Sequence, residues 1–157
     1  GLGDVYKRQP EPIETIIINE LIGDIVKTVD KNGVELTIKE KNTIQTSGRQ
    51  IQLKRAFNNI IDNSQRYAKR IEIILYTNEK DCVIEFNDDG EGIPRDKYED
   101  VFKPFFTLDP SRNKLKGESG LGLTITRDII RSHGGDVKLS ESNLGGLQLK
   151  VLLPLWF

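Results

Sequence analysis

A formal net charge of −1, from 23 basic and 24 acidic side chains among 157 residues, argues against a bulk nucleic-acid binder or a membrane-surface patch. The length fits one domain with a real core. The apolar stretch from Ile13 to Val26 is broken by Glu14, Asn19, Glu20 and Asp24, so nothing reaches the roughly 18 residues of a membrane-crossing helix. One cysteine excludes an internal disulfide, and one cysteine with one histidine argues against a zinc site of the usual ligands.

Residues 1–9, GLGDVYKRQ, match nothing downstream and read as a non-native, adapter-derived segment. Asp4 to Gln9 look like one translated frame of a transposon-end sequencing adapter. The natural protein is therefore expected to continue upstream of Pro10, and residues 10–157 are taken as the domain. No signal-peptide pattern is seen. Pro10 to Thr15 reads as a short edge strand. Ile16 to Val29 reads as a helix, with Ile17, Leu21, Ile25 and Val29 spaced by four. Lys31-Asn32-Gly33 signals a turn, Val34 to Lys39 alternates as a strand, and Asn42 to Gly48 is a polar connection with a short extended piece.

Gln50 to Lys69 reads as one amphipathic helix. Leu53, Phe57, Ile60, Ile61, Ser64 and Ala68 form its apolar face. Asn59 and Asn63 lie one above the other, and Arg66 and Tyr67 continue their stripe along the edge of that face. Asn competes for backbone hydrogen bonds inside a helix, so two in register call for a reason. An amide oxygen is a hard, neutral ligand suited to a Mg²⁺ already shared with phosphates. The alternative is a helix that is simply polar on one flank.

Ile71 to Tyr76 and Cys82 to Asn87 read as an antiparallel hairpin around Asn78-Glu79-Lys80-Asp81. Cys82 alternates with Ile84 and Phe86 and reads as a small buried hydrophobe. The second strand runs into Asp88-Asp89-Gly90-Glu91-Gly92-Ile93, where glycines let backbone approach a ligand. A short helix, Pro94 to Val101, follows. Phe102, Phe105 and Phe106 are expected to anchor a loop base in the core. Thr107 to Ser119 is polar, with Arg112, Lys114 and Lys116, and has the composition of a mobile loop. Gly120-Leu121-Gly122-Leu123 opens a helix to about Ser132, which His133-Gly134-Gly135 ends. His133 reads as a capping or packing residue. Asp136 to Glu141 and Gly146 to Leu153 close the chain as strands. The sum is an α+β fold: a two-layer sandwich, with one mixed, mostly antiparallel sheet covered on one face by three main helices.

Singly, these features leave two readings each. A glycine-rich turn at a helix N-terminus can hold phosphate or merely pack tightly. Asp88 can accept from an exocyclic amine such as adenine N6, or bond its own turn. The cations of the polar segment can reach polyphosphate or stay solvated.

In order, the constellation resembles the catalytic, ATP-binding domain of two-component sensor histidine kinases, within the GHKL ATPase superfamily, and most of all osmolarity-sensor-type kinases. The four motifs are the Asn helix Arg55 to Tyr67, Asp88 to Ile93, Phe102-Lys103-Pro104-Phe105-Phe106, and Gly117 to Leu123. The ending, His133-Gly134-Gly135 and then a hairpin with Gly145-Gly146 and a closing Leu-Pro, fits as well. The resemblance implies a Bergerat-type sandwich binding ATP and Mg²⁺. Asn63 would be the metal ligand. Asn59, the residue assigned to catalysis, would lie beside the phosphates. Arg66 and Tyr67 would contact phosphate, sugar or base. Asp88 would read adenine N6, with Gly90, Gly92 and Ile93 lining the nucleotide. Arg112 and Lys116, with backbone N–H groups of Gly120, Leu121, Gly122 and Leu123, would hold phosphates. Two departures stand out: Glu118 where glycine is common, and Arg66 where lysine is commoner.

Such a kinase needs an acceptor histidine on a helical hairpin, and His133 is in no such setting. The expected partners are therefore that hairpin in the parent kinase and, indirectly, a response regulator, with no nucleic acid. The parent is expected to be dimeric and anchored in the bacterial inner membrane, with this domain cytoplasmic. Three rival readings share part of the pattern. A GHKL ATPase would carry Glu in place of Asn59 as general base. An anti-sigma-type serine kinase shares the boxes. A degenerate nucleotide-sensing module would not need Asn63, Asp88 and both glycine boxes intact.

Overall fold

Alternation and helical periodicity both survive into the computed structural model, which describes residues 11–29, 33–106 and 122–155. The elements are β1 (Glu14–Ile17), α1 (Ile18–Thr28), β2 (Val34–Ile38), β3 (Gln45–Gly48), α2 (Gln50–Tyr67), β4 (Ile71–Thr77), β5 (Asp81–Asp88), 3₁₀ turns at Arg95–Lys97 and Asp100–Phe102, α3 (Gly122–Ser132), β6 (Asp136–Glu141) and β7 (Leu147–Pro154).

Among the described residues, five strands form a sheet in the order β2-β4-β5-β7-β6. β2 and β4 are parallel, and the remaining pairs are antiparallel. Alternation sends Ile71, Ile73 and Leu75 of β4, Cys82, Ile84 and Phe86 of β5, and Leu149, Val151 and Leu153 of β7 into the core under the helices. Cys82 is buried there as a small hydrophobe, and burial pushes its thiol up to about 12. The opposite face mixes polar residues with Ile74, Val83 and Leu152. Gln148 donates through Nε2 to Asn87 Oδ1 at 2.8 Å and to Glu85 Oε1 at 3.2 Å.

The central helix α2 buries Leu53, Ala56, Phe57, Ile60, Ile61 and Ser64. Phe57 stacks on Phe86 of β5 with ring centroids 6.2 Å apart. Each fully buried large apolar side chain of this face contributes on the order of 1.5–3 kcal/mol. Ala68 lies just past the helix rather than on its face, and its N–H makes the closing bond to the Ser64 carbonyl. The tertiary frame thus runs from β5 through α2.

Four expectations are corrected. The sheet is not single: β1 and β3 pair antiparallel as a separate two-stranded sheet, with Ile16 opposite Thr46. Thr46 Oγ1 donates to the Pro154 carbonyl at 2.8 Å and fastens this ribbon to the end of β7. The first helix begins at Ile18 because the β-branched run Thr15-Ile16-Ile17 is extended and paired. Its inward face is therefore Ile18, Leu21, Ile22 and Ile25. Pro94 to Val101 makes i→i+3 turns instead of a helix: Lys97 N–H bonds the Pro94 carbonyl and Tyr98 N–H that of Arg95. Finally, of the three clustered phenylalanines Phe102, Phe105 and Phe106, only Phe102 is buried. Phe105 is 70 % exposed, at a left-handed turn (φ 61°) that breaks the spacing which would have carried it inward.

Candidate nucleotide site

The last turns of α2 and the loop after β5 form the two walls of the site. Asn59, Asn63, Arg66 and Tyr67 all lie on the half-buried edge of α2, beside its apolar face. Asn63 is one turn back from Tyr67 and Asn59 two turns back. A cleft of about 380 Å³ opens at the C-terminal end of this stripe, lined by Tyr67, Ala68, Lys69, Asp89, Gly90 and Glu91. The lining does not reach Asn59 or Asn63.

Asp88 ends β5 with 7 % of its surface exposed. Its Oδ1 accepts from the Gly90 and Leu147 N–H groups, each at 3.0 Å. Burial pushes the carboxyl above its ordinary value, and these two bonds oppose that rise. The turn reading of Asp88 therefore has structural content. The bond to Gly90 is local, whereas the bond to Leu147 comes from another strand and fixes the carboxylate's orientation. Both bonds end on Oδ1, so Oδ2 is the atom with which Asp88 would meet a ligand.

Glycine is required where these walls meet. A β-carbon on Gly90 would stand 2.7 Å from the Tyr67 carbonyl oxygen. Gly92 has φ 74°, a left-handed conformation in which a side chain is strained. Ile93 follows, half-buried.

The second glycine turn is described only from Gly122. Gly122 is the first residue of α3, and Leu123 is buried in the core, so only its backbone is available to a ligand. Arg112, Lys116, Gly120 and Leu121 lie outside the described residues. The start of α3 is fastened on two sides. Thr124 Oγ1 donates to the Phe102 carbonyl at 2.6 Å, and Thr126 Oγ1 to the Gly122 carbonyl at 2.9 Å and the Ala56 carbonyl of α2 at 3.5 Å. Arg127 lies 4.2 Å over the Phe102 ring and pairs with Glu99 at 3.1 Å. At the far end, His133 packs as expected. Its Nε2 accepts from the Arg49 N–H at 3.0 Å, and Nδ1 lies 2.8 Å from the Ile129 carbonyl.

Sequence reasoning missed three contributors to the site: Gly146, Leu147 and Asp89. Gly145-Gly146 reads as a hairpin turn, and nothing local says that it reaches Asp88 from 58 residues away. Asp89 reads as turn chemistry. Its Oδ1 accepts from the Lys69 and Arg70 N–H groups, each at 2.9 Å.

Among the described residues no group of three His, Cys, Asp or Glu side chains could hold a metal. Asn59 and Asn63 bring neutral amide oxygens, which are hard donors, to the edge of α2. That set is too weak for a resident, protein-only cation but fits Mg²⁺ that arrives with phosphates.

A one-sided sandwich with a strand-end carboxylate, a glycine loop and an asparagine-bearing helix edge defines a nucleotide-binding class of domain. The chain belongs to the family described as histidine kinase-, DNA gyrase B-, and HSP90-like ATPase, whose model matches residues 48–156. It is 32% identical over 145 residues to the sensor histidine kinase GtrS of Pseudomonas aeruginosa, covering 92% of this chain and 29% of that protein. It is 33% identical over 149 residues to the sensor histidine kinase CpxA of Escherichia coli K12, covering 91% and 33%. The chain thus spans about a third of the length of these relatives. Among solved structures, the mycobacterial sensor histidine kinase MprB superposes with a TM-score of 0.77 at 25% identity, covering 92% of this chain and 98% of that one. The resemblance read from the four motifs therefore holds at the level of family and fold.

Proposed function

We propose that this chain is the catalytic, ATP-binding domain of a sensor histidine kinase, transferring the γ-phosphoryl group of Mg²⁺–ATP to a histidine on a separate helical hairpin. The observation that carries this reading is the Asp88 carboxylate, buried at a strand end and oriented by Leu147 and Gly90 beside a glycine-lined cleft. An ionised carboxylate with one oxygen committed to backbone N–H groups can accept an amine hydrogen with the other. At ring position 6 adenine offers that amine, whereas guanine offers there a carbonyl oxygen that a carboxylate repels.

Asn63 would hold Mg²⁺, and Asn59 would lie beside the phosphates. The metal, when bound with ATP, supplies charge neutralisation for phosphoryl transfer. Arg66 and Tyr67 would contact phosphate, ribose or base, and Gly90, Gly92 and Ile93 would let backbone approach the nucleotide. Gly122 and Leu123 would offer N–H groups at the start of α3, and the same role is proposed for Gly120 and Leu121, with Arg112 and Lys116 as phosphate contacts. The protein's part in such a transfer is positioning and electrostatics. Asn59 is not a base, which disfavours a hydrolase.

The partners proposed are the histidine-bearing hairpin of a dimeric parent and, through it, a response regulator. Among the described residues no helix is long and apolar enough to cross a membrane. We place the domain on the cytoplasmic side of a membrane-anchored parent, by its likeness to sensor kinases. Titration calorimetry with ATP and GTP tests the reading. Selective binding of ATP supports it, and equal binding of GTP would overturn the role of Asp88.

A further inference from the structure

We propose that Asp89 is a positioning residue for the nucleotide site, setting the gap between the end of α2 and the glycine loop. The inference rests on the nucleotide reading above and adds to it a role for Asp89 that acts through Lys69 and Arg70. The helix ends at Tyr67, and its closing bond is made by Ala68. The next two N–H groups, of Lys69 and Arg70, both point at Asp89 Oδ1 at 2.9 Å. In return the Asp89 N–H donates to the Arg70 carbonyl at 3.1 Å. Three bonds therefore clasp one side chain and its backbone to the connection between α2 and β4.

The clasp joins the two walls of the cleft. Tyr67, Ala68 and Lys69 form one wall, and Asp89, Gly90 and Glu91 the other. Gly90 approaches the Tyr67 carbonyl so closely that the gap leaves no room for a β-carbon. Without the carboxylate, the Lys69 and Arg70 N–H groups are left only with water, and the tail of α2 is tied to the loop by the Asp89 N–H alone. The position of Tyr67 relative to Gly90 then loosens, and a ligand seated in the cleft they line must restore it on binding. The Arg70 and Lys69 N–H groups hold the Asp89 carboxyl below the ordinary range, the sign expected of an acceptor used in its ionised form.

The acceptor geometry distinguishes two conservative changes. Asparagine keeps an oxygen at Oδ1 and can take both N–H bonds, whereas alanine takes neither. Calorimetry with adenosine and with a Mg²⁺–ATP analogue, together with amide exchange at residues 69 and 70, tests the proposal on the full chain. Asp89→Ala should weaken both ligands by the same factor, about tenfold, the low end for residues that hold a ligand-binding group in place, and should speed exchange at Lys69 and Arg70. Asp89→Asn should keep affinity and slow exchange. Fast exchange with unchanged adenosine affinity in Asp89→Ala would overturn the positioning role and leave the nucleotide reading standing. A loss in Asp89→Asn equal to that in alanine would overturn it too, and this variant serves even where alanine fails to fold. A wild-type chain that binds neither ligand would overturn the nucleotide reading itself, and this inference with it.

Discussion

The α-carbon of Gly146 lies so close to Asp88 that a β-carbon there would stand 2.1 Å from Oδ1. The Gly146 N–H also donates to the Asp88 carbonyl at 3.1 Å, and the next N–H, of Leu147, reaches Oδ1. The turn between β6 and β7 therefore sets the orientation of the carboxylate proposed to read adenine. Gly146→Ala should displace that carboxylate, costing about 1–3 kcal/mol of stability as an overpacked site does. ATP affinity should fall by roughly tenfold or more with it. Thermal unfolding and calorimetry measure both. An alanine variant of wild-type affinity would show that this contact does not orient the carboxylate.

Asp88 itself gives a prediction of opposite sign for binding and for folding. Its carboxyl is raised above the ordinary range by burial. A raised acid binds more protons folded than unfolded between the two pKa values, so its contribution to stability falls as pH rises through that window. Asp89 and Asp100 are lowered instead, by backbone N–H groups and by Lys103 respectively, so their contributions are lost as pH falls through values below the ordinary range. The windows do not overlap. ATP binding, which needs the ionised acceptor, should weaken as pH falls through the raised Asp88 value. Asp88→Asn should remove this pH dependence and lower ATP affinity by about 10- to 100-fold, the range of a hydrogen bond to a charged group. It should also narrow the preference for ATP over GTP. An unchanged pH profile in the variant would assign the dependence to another group.

The reach of the sequence can be judged at particular residues. That Asn59, Asn63, Arg66 and Tyr67 share one helix edge was legible because helical periodicity is local, and α2 keeps that phase from Gln50 to Tyr67. Asp88 was legible because alternation carried β5 to its end. Gly146 and Leu147 were not, because their partner is set by the β5–β7 register, a property of the folded sheet. The pairing of β1 with β3 was missed for the same reason: both were read only as short extended pieces, and Gln45-Thr46-Ser47-Gly48 is too polar and short to show its partner. Phe105 shows the opposite failure, since an aromatic residue in an apolar cluster lies exposed where the backbone turns.

Asn63 sits on the half-buried edge of α2, without a carboxylate cluster beside it among the described residues. A neutral amide holds a hard cation only weakly, so its worth appears when phosphates share the ion. Asn63→Ala should weaken Mg²⁺-dependent ATP binding by about tenfold or more and leave metal-free adenosine within about twofold. Equal loss of both ligands in calorimetry would count against a metal role.

His133 joins the start of α2 to the end of α3. Arg49 donates to its Nε2, and Gly48 lies so close that a β-carbon would stand 2.6 Å from Cδ2. His133→Ala leaves the Arg49 N–H without this acceptor and should cost about 1–2 kcal/mol of stability. ATP affinity should stay near wild type. Denaturant unfolding beside calorimetry separates the two effects, and an affinity loss larger than the stability loss would reassign His133 to the site.

The same histidine bears on the phosphoryl-transfer reading. His133 is the chain's only histidine and follows α3, whose first residues carry the proposed phosphate contacts. An 11-residue helix is about 16 Å long, so the far end cannot meet a γ-phosphate held at the start of the same helix. The chain alone should therefore bind ATP, hydrolyse it only slowly and leave itself unlabelled. A helical hairpin fragment bearing the acceptor histidine, taken from the parent kinase, should become labelled when added in trans. Labelled nitrogen is recognised chemically, because a histidine phosphoramidate is lost in acid and kept in base. Radiolabelled ATP, a gel and parallel acid and base washes make the test. Acid-stable label on a serine of an added partner would favour the serine-kinase alternative. Label on His133 would show that the chain carries its own acceptor, against the distance along α3.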